Sequence, residues 1–245
     1  MSAKQKIRVH PRTILNHLTP KMLYGLFIKE IIYIRKFKQI LKQIGWSYIK
    51  IKPYGFAANG SLIYLLLKIL NEKHPDKILE LGSGETTKLT YRYISENENT
   101  EALVLEDNSE WYNKLIGNFK SKRFNYTQSL LKELTVAERI CNWYSYDFSN
   151  EKNNSKYNLI LIDGPLGTLR YSRLGIIKFL PNILDRNNFI IIFDDTSRKG
   201  EQDTIGILKN VFAKEKIEFI SVEVYGYKKQ TCLASKNYHE FLSTI

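Results

Sequence analysis

The chain has 245 residues, 43% of them hydrophobic, with 37 Lys or Arg against 25 Asp or Glu and a formal net charge of +12. That length suits one α/β domain with an extension, and the two cysteines, Cys141 and Cys232, give neither a disulfide framework nor a metal-ligand spacing. No apolar stretch reaches the roughly 18 residues that cross a bilayer, and the start of the chain has no apolar signal-peptide core, so the cytosol is the expected compartment.

The charge is concentrated at the start. Residues 1–52 contain twelve Lys or Arg and a single acid, Glu30, so this segment carries +11 of the +12. Leu23, Leu26, Ile34, Phe37, Leu41 and Ile44 recur at three- and four-residue intervals, which predicts a helix over residues 23–44. Lys29, Arg35, Lys36, Lys38 and Lys42 lie off that stripe. Such a basic amphipathic helix either lies on an anionic membrane, here at its inner face, or packs its stripe over the following domain and leaves its lysines in water. The division expected is a basic helical extension over 1–54 and an α/β domain over 55–245.

Next comes an apolar strand, residues 78–81, that ends on Glu80 and Leu81 and runs into Gly82, Ser83 and Gly84. The glycines remove side chains where backbone turns sharply and approaches a ligand closely, and Thr86 and Thr87 can cap the helix that follows. A second apolar run, 102–105, ends in Glu106 and Asp107, about 20 residues after the turn, where βαβ folds hydrogen-bond ribose hydroxyls. Two more continuous hydrophobic strands end in Asp163, Gly164, Pro165 and in Asp194, Asp195, Thr196. Unbroken apolar runs of this kind suit a parallel sheet covered on both faces, and ligands bind outside the carboxyl ends of its strands. Residues 217–225 and 230–235 are two β-rich runs whose short link, residues 226–229, allows only antiparallel pairing.

The order Glu80, Gly82, Gly84, then Glu106, then Asp163, Gly164, Pro165, then Asp194, Asp195 resembles the class I S-adenosylmethionine-dependent methyltransferases over roughly residues 55–236. The resemblance implies a Rossmann-like, doubly wound, mostly parallel seven-stranded sheet with a C-terminal antiparallel hairpin. It also implies S-adenosylmethionine contacts at Glu80, Gly82, Ser83, Gly84, Thr86, Thr87, Glu106, Asp107 and Asp163, with Glu106 on the ribose. A third glycine at the usual dinucleotide spacing is replaced by Thr87, which favours this cofactor over one with a pyrophosphate.

Asp163, Asp194 and Asp195 end neighbouring strands, and three uncompensated carboxylates would repel one another. A divalent cation removes that penalty, and oxygen-only ligation suits Mg2+ or Mn2+. The pattern resembles metal-dependent O-methyltransferases of the catechol and macrolide-sugar types, with Asp163, Asp194 and Asp195 as the implied metal ligands and catalytic groups. The alternative is that Asp194 or Asp195 caps the next helix and Asp163 meets only cofactor. Where the catechol type carries a lysine base this chain has Leu166, which leaves Asp163, His10 or His17 as candidate proton acceptors. Arg170, Arg173 and Arg198 leave the same edge, and arginine forks match carboxylate or phosphate. They suggest an anionic acceptor, such as a uronic acid or phosphorylated sugar, and the motifs resemble bacterial methyltransferases of surface-polysaccharide synthesis.

The expected activity is therefore O-methylation of a sugar or glycan hydroxyl, with a small-molecule or glycan substrate, an anionic membrane surface reached through residues 1–52, and a homodimer as the possible partners. Two other readings stay open: an RNA methyltransferase that uses the basic extension, and a non-catalytic S-adenosylmethionine-binding protein. Against nucleic acid, the chain after residue 52 has a net charge of only +1, so it offers no surplus for a phosphate backbone.

Overall fold

The computed structural model describes residues 19–53, 58–149, 156–167 and 169–245. The expected boundary at 54/55, His10, His17 and most of the polar loop 149–155 lie outside those residues.

Helix α1 (Pro20–Gln43) begins at Thr19, whose hydroxyl accepts from Met22 N, and has proline in its first turn, a position where a missing N–H is harmless. It leads to α2 (Gly60–Lys73), which is buried along most of its length. Strand β1 (Lys77–Leu81), α3 (Glu85–Glu96), β2 (Glu101–Glu106), α4 (Ser109–Ile116) and β3 (Phe124–Gln128) follow. A separate antiparallel hairpin, β4 (Leu131–Val136) and β5 (Arg139–Tyr144), stands beside the main sheet. Then come β6 (Leu159–Ile162), α5 (Ile176–Ile183), β7 (Ile190–Phe193), α6 (Lys199–Lys214), β8 (Ile220–Tyr225), β9 (Lys229–Ala234) and α7 (His239–Ser243).

The main sheet has seven strands in the order β3-β2-β1-β6-β7-β9-β8. The first five are mutually parallel. Strand β9 inserts antiparallel between β7 and β8. This is the Rossmann-like sheet with a terminal hairpin that the family resemblance implies, built on the parallel strands that the hydrophobic runs predict. Because successive residues of a strand face opposite sides, Ile78, Val104, Leu159, Leu161, Ile190 and Ile192 join one core with α2, while Leu79, Leu105, Ile160, Ile162, Ile191 and Phe193 join another with α5 and α6. Phe37, Leu41 and Trp46 belong to the first of these cores. The predicted stripe of α1 thus covers one face of the sheet in its second half.

The register places Leu81 beside both Leu105 and Ile162, and Ile162 beside Phe193. The turns after β1, β2, β6 and β7 consequently share one edge. No helix among the described residues is long and apolar enough to cross a membrane.

Candidate functional site

Two strand ends meet at the centre of that edge. Gly82 has φ +83, and a Cβ there would lie 2.7 Å from Gly164 N and 2.9 Å from Gly164 Cα. The glycine of the Asp163 turn is therefore the partner of the glycine after β1, and Asp163 N and Gly164 N both donate to Leu81 O at 2.9 and 2.5 Å. Gly84 is different. Its backbone is extended, φ 176, and a Cβ would meet nothing within 4 Å, so the space beside the turn is open to a ligand.

The acids of the first two strands hold this turn in place. Glu80 is fully buried beneath it and accepts from the hydroxyls of Thr86, Thr87 and Thr90 at 2.6, 2.7 and 2.8 Å. Burial, resisted by those hydrogen bonds, pushes the Glu80 carboxyl up to about 7. Thr87 helps cap α3 from its third position, its hydroxyl accepting from Gly84 N at 2.8 Å. Glu106 Oε2 accepts from Ser83 N at 2.8 Å and Ser83 Oγ at 2.7 Å, and its Oε1 from Asn108 N at 2.8 Å. Ser83 also meets Tyr126 Oη at 2.9 Å, and its carbonyl accepts from Trp111 Nε1 at 2.8 Å. Asp107 lies half-buried next to Glu106, and burial followed by the Glu106 charge raises its carboxyl above the usual range.

Asp163, Asp194 and Asp195 do converge, with one carboxylate oxygen of each within 4.8 Å of the others. Side-chain cations lie beside them. Buried Arg173 donates from Nη1 to Asp194 O at 2.5 Å, and from Nη2 to Asp163 O and to Asp163 Oδ1, the last at 3.2 Å. Arg198 Nη2 pairs with Asp195 Oδ2 at 2.5 Å. Lys228, from the turn between β8 and β9, brings Nζ to 3.4 Å from Asp194 Oδ2 and 3.7 Å from Asp195 Oδ2. Four acids, Asp163, Asp194, Asp195 and Glu201, thus share three side-chain cations. A divalent ion here would compete with Lys228 for Asp194 Oδ2 and Asp195 Oδ2.

The same cations separate the two neighbouring acids. Burial, then the Asp194 charge, pushes Asp163 up to about 7 against the pull of Arg173 and Lys228. For Asp194, burial is outweighed by Lys228, Arg173 and a 2.8 Å bond from Gln230 Nε2, and its carboxyl is held below the usual range. Asp195 takes φ +57 and pairs with Arg198 and Lys228 rather than capping α6, whose N-cap is Arg198.

The arginines differ from the expected anion-binding trio. Arg173 is 2% exposed, committed to Asp163 and Asp194, with Glu201 3.8 Å from its Nε. Arg198 is bound by Asp195, with Glu201 3.9 Å away. Arg170 lies at the surface and forks onto Asp203 Oδ2 at 3.0 and 2.8 Å. All three are engaged by carboxylates.

Two side chains at this edge escape sequence reasoning. Lys228 reads as an ordinary turn residue, and only the folding of the hairpin brings it to acids 33 and 34 positions earlier. Tyr144, the last residue of β5, is fully buried and its hydroxyl has no hydrogen-bond partner. It packs against Gly164 and feels the charges of Asp107, Glu106, Arg173 and Asp163. An orphan hydroxyl between the glycine turn and Asp163 suits a site that is completed by a ligand.

No family model and no curated protein sequence matches the chain. Solved structures do share its fold. An O-methyltransferase from Bacillus cereus in complex with SAH superposes with a TM-score of 0.55 at 12% identity, over 88% of this chain and 100% of that one. A candidate O-methyltransferase from Klebsiella pneumoniae gives 0.55 at 13% identity, over 87% of this chain and 99% of that one.

Proposed function

We propose that the chain transfers a methyl group from S-adenosylmethionine to a hydroxyl oxygen, with a sugar or glycan as the acceptor class. The observation that carries this reading is the shared edge: an open turn at Gly84, tied through Ser83 to Glu106, beside Asp163. Likeness of fold to an O-methyltransferase in complex with SAH supports the cofactor class. When bound, S-adenosylmethionine supplies an electrophilic methyl group on a sulfonium sulfur.

The residues then divide the work. Glu106 Oε1 accepts one bond from Asn108 N and retains a lone pair for a ribose hydroxyl. Ser83 fixes that carboxylate, and Glu80 with its three threonines fixes the turn from below. Asp163, partly exposed at the edge, would accept the proton of the acceptor hydroxyl as that oxygen is methylated. A carboxyl near pKa 7 suits a base working at neutral pH. Lys228 and Arg173 keep Asp194 ionised, so the proton has one destination. The rest of the rate comes from positioning. Mg2+ or Mn2+ held by Asp163, Asp194 and Asp195 is the alternative means of activating the hydroxyl, in competition with Lys228 for Asp194 and Asp195.

Calorimetry with S-adenosylhomocysteine, followed by methyl transfer to a panel of neutral and acidic glycans, tests the reading. Binding and turnover are expected, with Asp163→Asn losing turnover and keeping the cofactor. Binding without turnover on any acceptor points to a non-catalytic binding protein. Transfer to RNA that is lost on removing residues 1–52 points to the RNA alternative. Tight NAD binding without S-adenosylhomocysteine binding ends the assignment.

A further inference from the structure

Helix α1 is apolar on two sides. One side packs on the domain: Phe37 and Leu41 are buried, and Ile34, Ile40 and Ile44 lie against the same core. The other side faces water. Tyr24, Phe27, Ile28 and Ile32 are 66, 58, 40 and 44% exposed. At about 100° per residue these four, with half-buried Ile31, occupy an arc of roughly 140° that excludes Glu30 and Phe37. Farther along the helix Arg35, Lys38 and Lys42 fall in that same arc, and all three are exposed. Scattered surface apolar residues need no explanation, but a contiguous patch marks a contact surface.

We propose that this outer face of α1 docks on an anionic lipid surface, its first half entering the interface and its second half meeting the headgroups. The charge pattern selects this occupant. A second copy would meet the same patch about a two-fold axis and bring two +11 segments together. A nucleic acid would satisfy Arg35, Lys38 and Lys42 but leave Phe27, Ile28 and Ile32 against phosphates. An anionic bilayer satisfies both halves at once. The tip of the β8–β9 hairpin adjoins the helix, with Lys29 Nζ 5.7 Å from the Tyr225 ring centroid and Tyr227 N donating to Glu30 at 3.0 Å. This inference does not depend on the methyl-transfer reading.

Flotation of the full chain with phosphatidylcholine vesicles, with and without phosphatidylglycerol, tests it. Two triple variants are compared: Phe27→Gln with Ile28→Gln and Ile32→Gln, and Arg35→Gln with Lys38→Gln and Lys42→Gln. Glutamine keeps helix propensity, and all six side chains are exposed, so the melting temperature should not move. The unaltered chain is expected to float with anionic vesicles only. Each triple variant should lower its partitioning roughly tenfold or more, and raising salt from about 0.1 to about 1 M should release it. No flotation with anionic vesicles at low salt overturns the proposal, as does equal flotation with neutral ones. A drop in melting temperature in the apolar variant with vesicle binding intact would show that the chain covers this face itself. A halving of the solution mass in that variant would show that a second copy does; either result also overturns it.

Discussion

Replacing Glu80 by Gln should change how stability responds to pH, and the structure sets both sign and size. The carboxyl is fully buried, and its pKa rises from an ordinary 4.5 to about 7. Between those values the folded chain keeps a proton that the unfolded chain has released. The contribution to stability is therefore present in full below about pH 4.5 and is lost as pH rises through about 7. At about 1.4 kcal/mol per pH unit the loss amounts to about 3 kcal/mol. Gln matches the shape of the protonated acid. Its oxygen can keep the hydroxyls of Thr86 and Thr87, and its amide can donate to Thr90 Oγ1, whose own proton turns to Thr86 O, already 3.3 Å away. Urea unfolding of both proteins at about pH 4.5, 6 and 8 measures the difference. The two stabilities should nearly coincide at the acid end, and the variant should be ahead by about 3 kcal/mol at the alkaline end. Asp163 tilts the wild-type curve in the same direction, but it is common to both proteins and cancels. Parallel curves would refute the reasoning, since they would mean that the buried carboxyl ionises as it does in water.

Three further outcomes are expected. Glu106→Ala should weaken S-adenosylhomocysteine binding by about 1–3 kcal/mol in calorimetry, because charge-assisted bonds are lost and Ser83 is no longer held. Gly82→Ala should destabilise the fold by about 2–5 kcal/mol in thermal unfolding, since φ +83 and the 2.7 Å approach of Gly164 N act together. Turnover should persist in excess chelator, and Mn2+ should leave the spectrum of a bound ion only in Lys228→Met. Activity that vanishes with chelator and returns with Mg2+ would show that the ion displaces Lys228.

The parts of the fold legible in the sequence are those in which one local signal suffices. Strands β1, β2, β6 and β7 are unbroken apolar runs that end in acids, and the terminal hairpin is two β-rich runs with a short link. The β4–β5 hairpin carries no such signal. Its turn places Ala137 and Glu138 at φ 47 and 61, where glycine or asparagine would ordinarily announce it. Of the site, the acids are legible because strand ends are. Their compensation is not, because Arg173 and Lys228 reach them from other segments and only the packed chain sets the distances. The apolar stripe predicted for α1 is likewise half of the helix: Leu41 and Phe37 serve it, whereas Phe27 and Ile28 break its period and face outward.

Glu30 ties the extension to the sheet edge by hydrogen bonds. It is the single acid among residues 1–52, and it is buried. Its carboxylate accepts from Gly60 N, from Asn59 Nδ2 at 3.0 Å and from Tyr227 N at 3.0 Å. Gln230 Nε2 then donates to Asn59 Oδ1 at 3.0 Å and to Asp194 Oδ1 at 2.8 Å. A buried carboxylate satisfied only by donors from α2 and the hairpin tip has a low-energy position only while both are in place. Tyr227 lies next to Lys228, whose ammonium meets Asp194 and Asp195. The same short hairpin turn is thus fixed at one end by the helix that carries the basic charge and at the other by the acid cluster. A displacement of α1 at a surface would be felt first at Lys228.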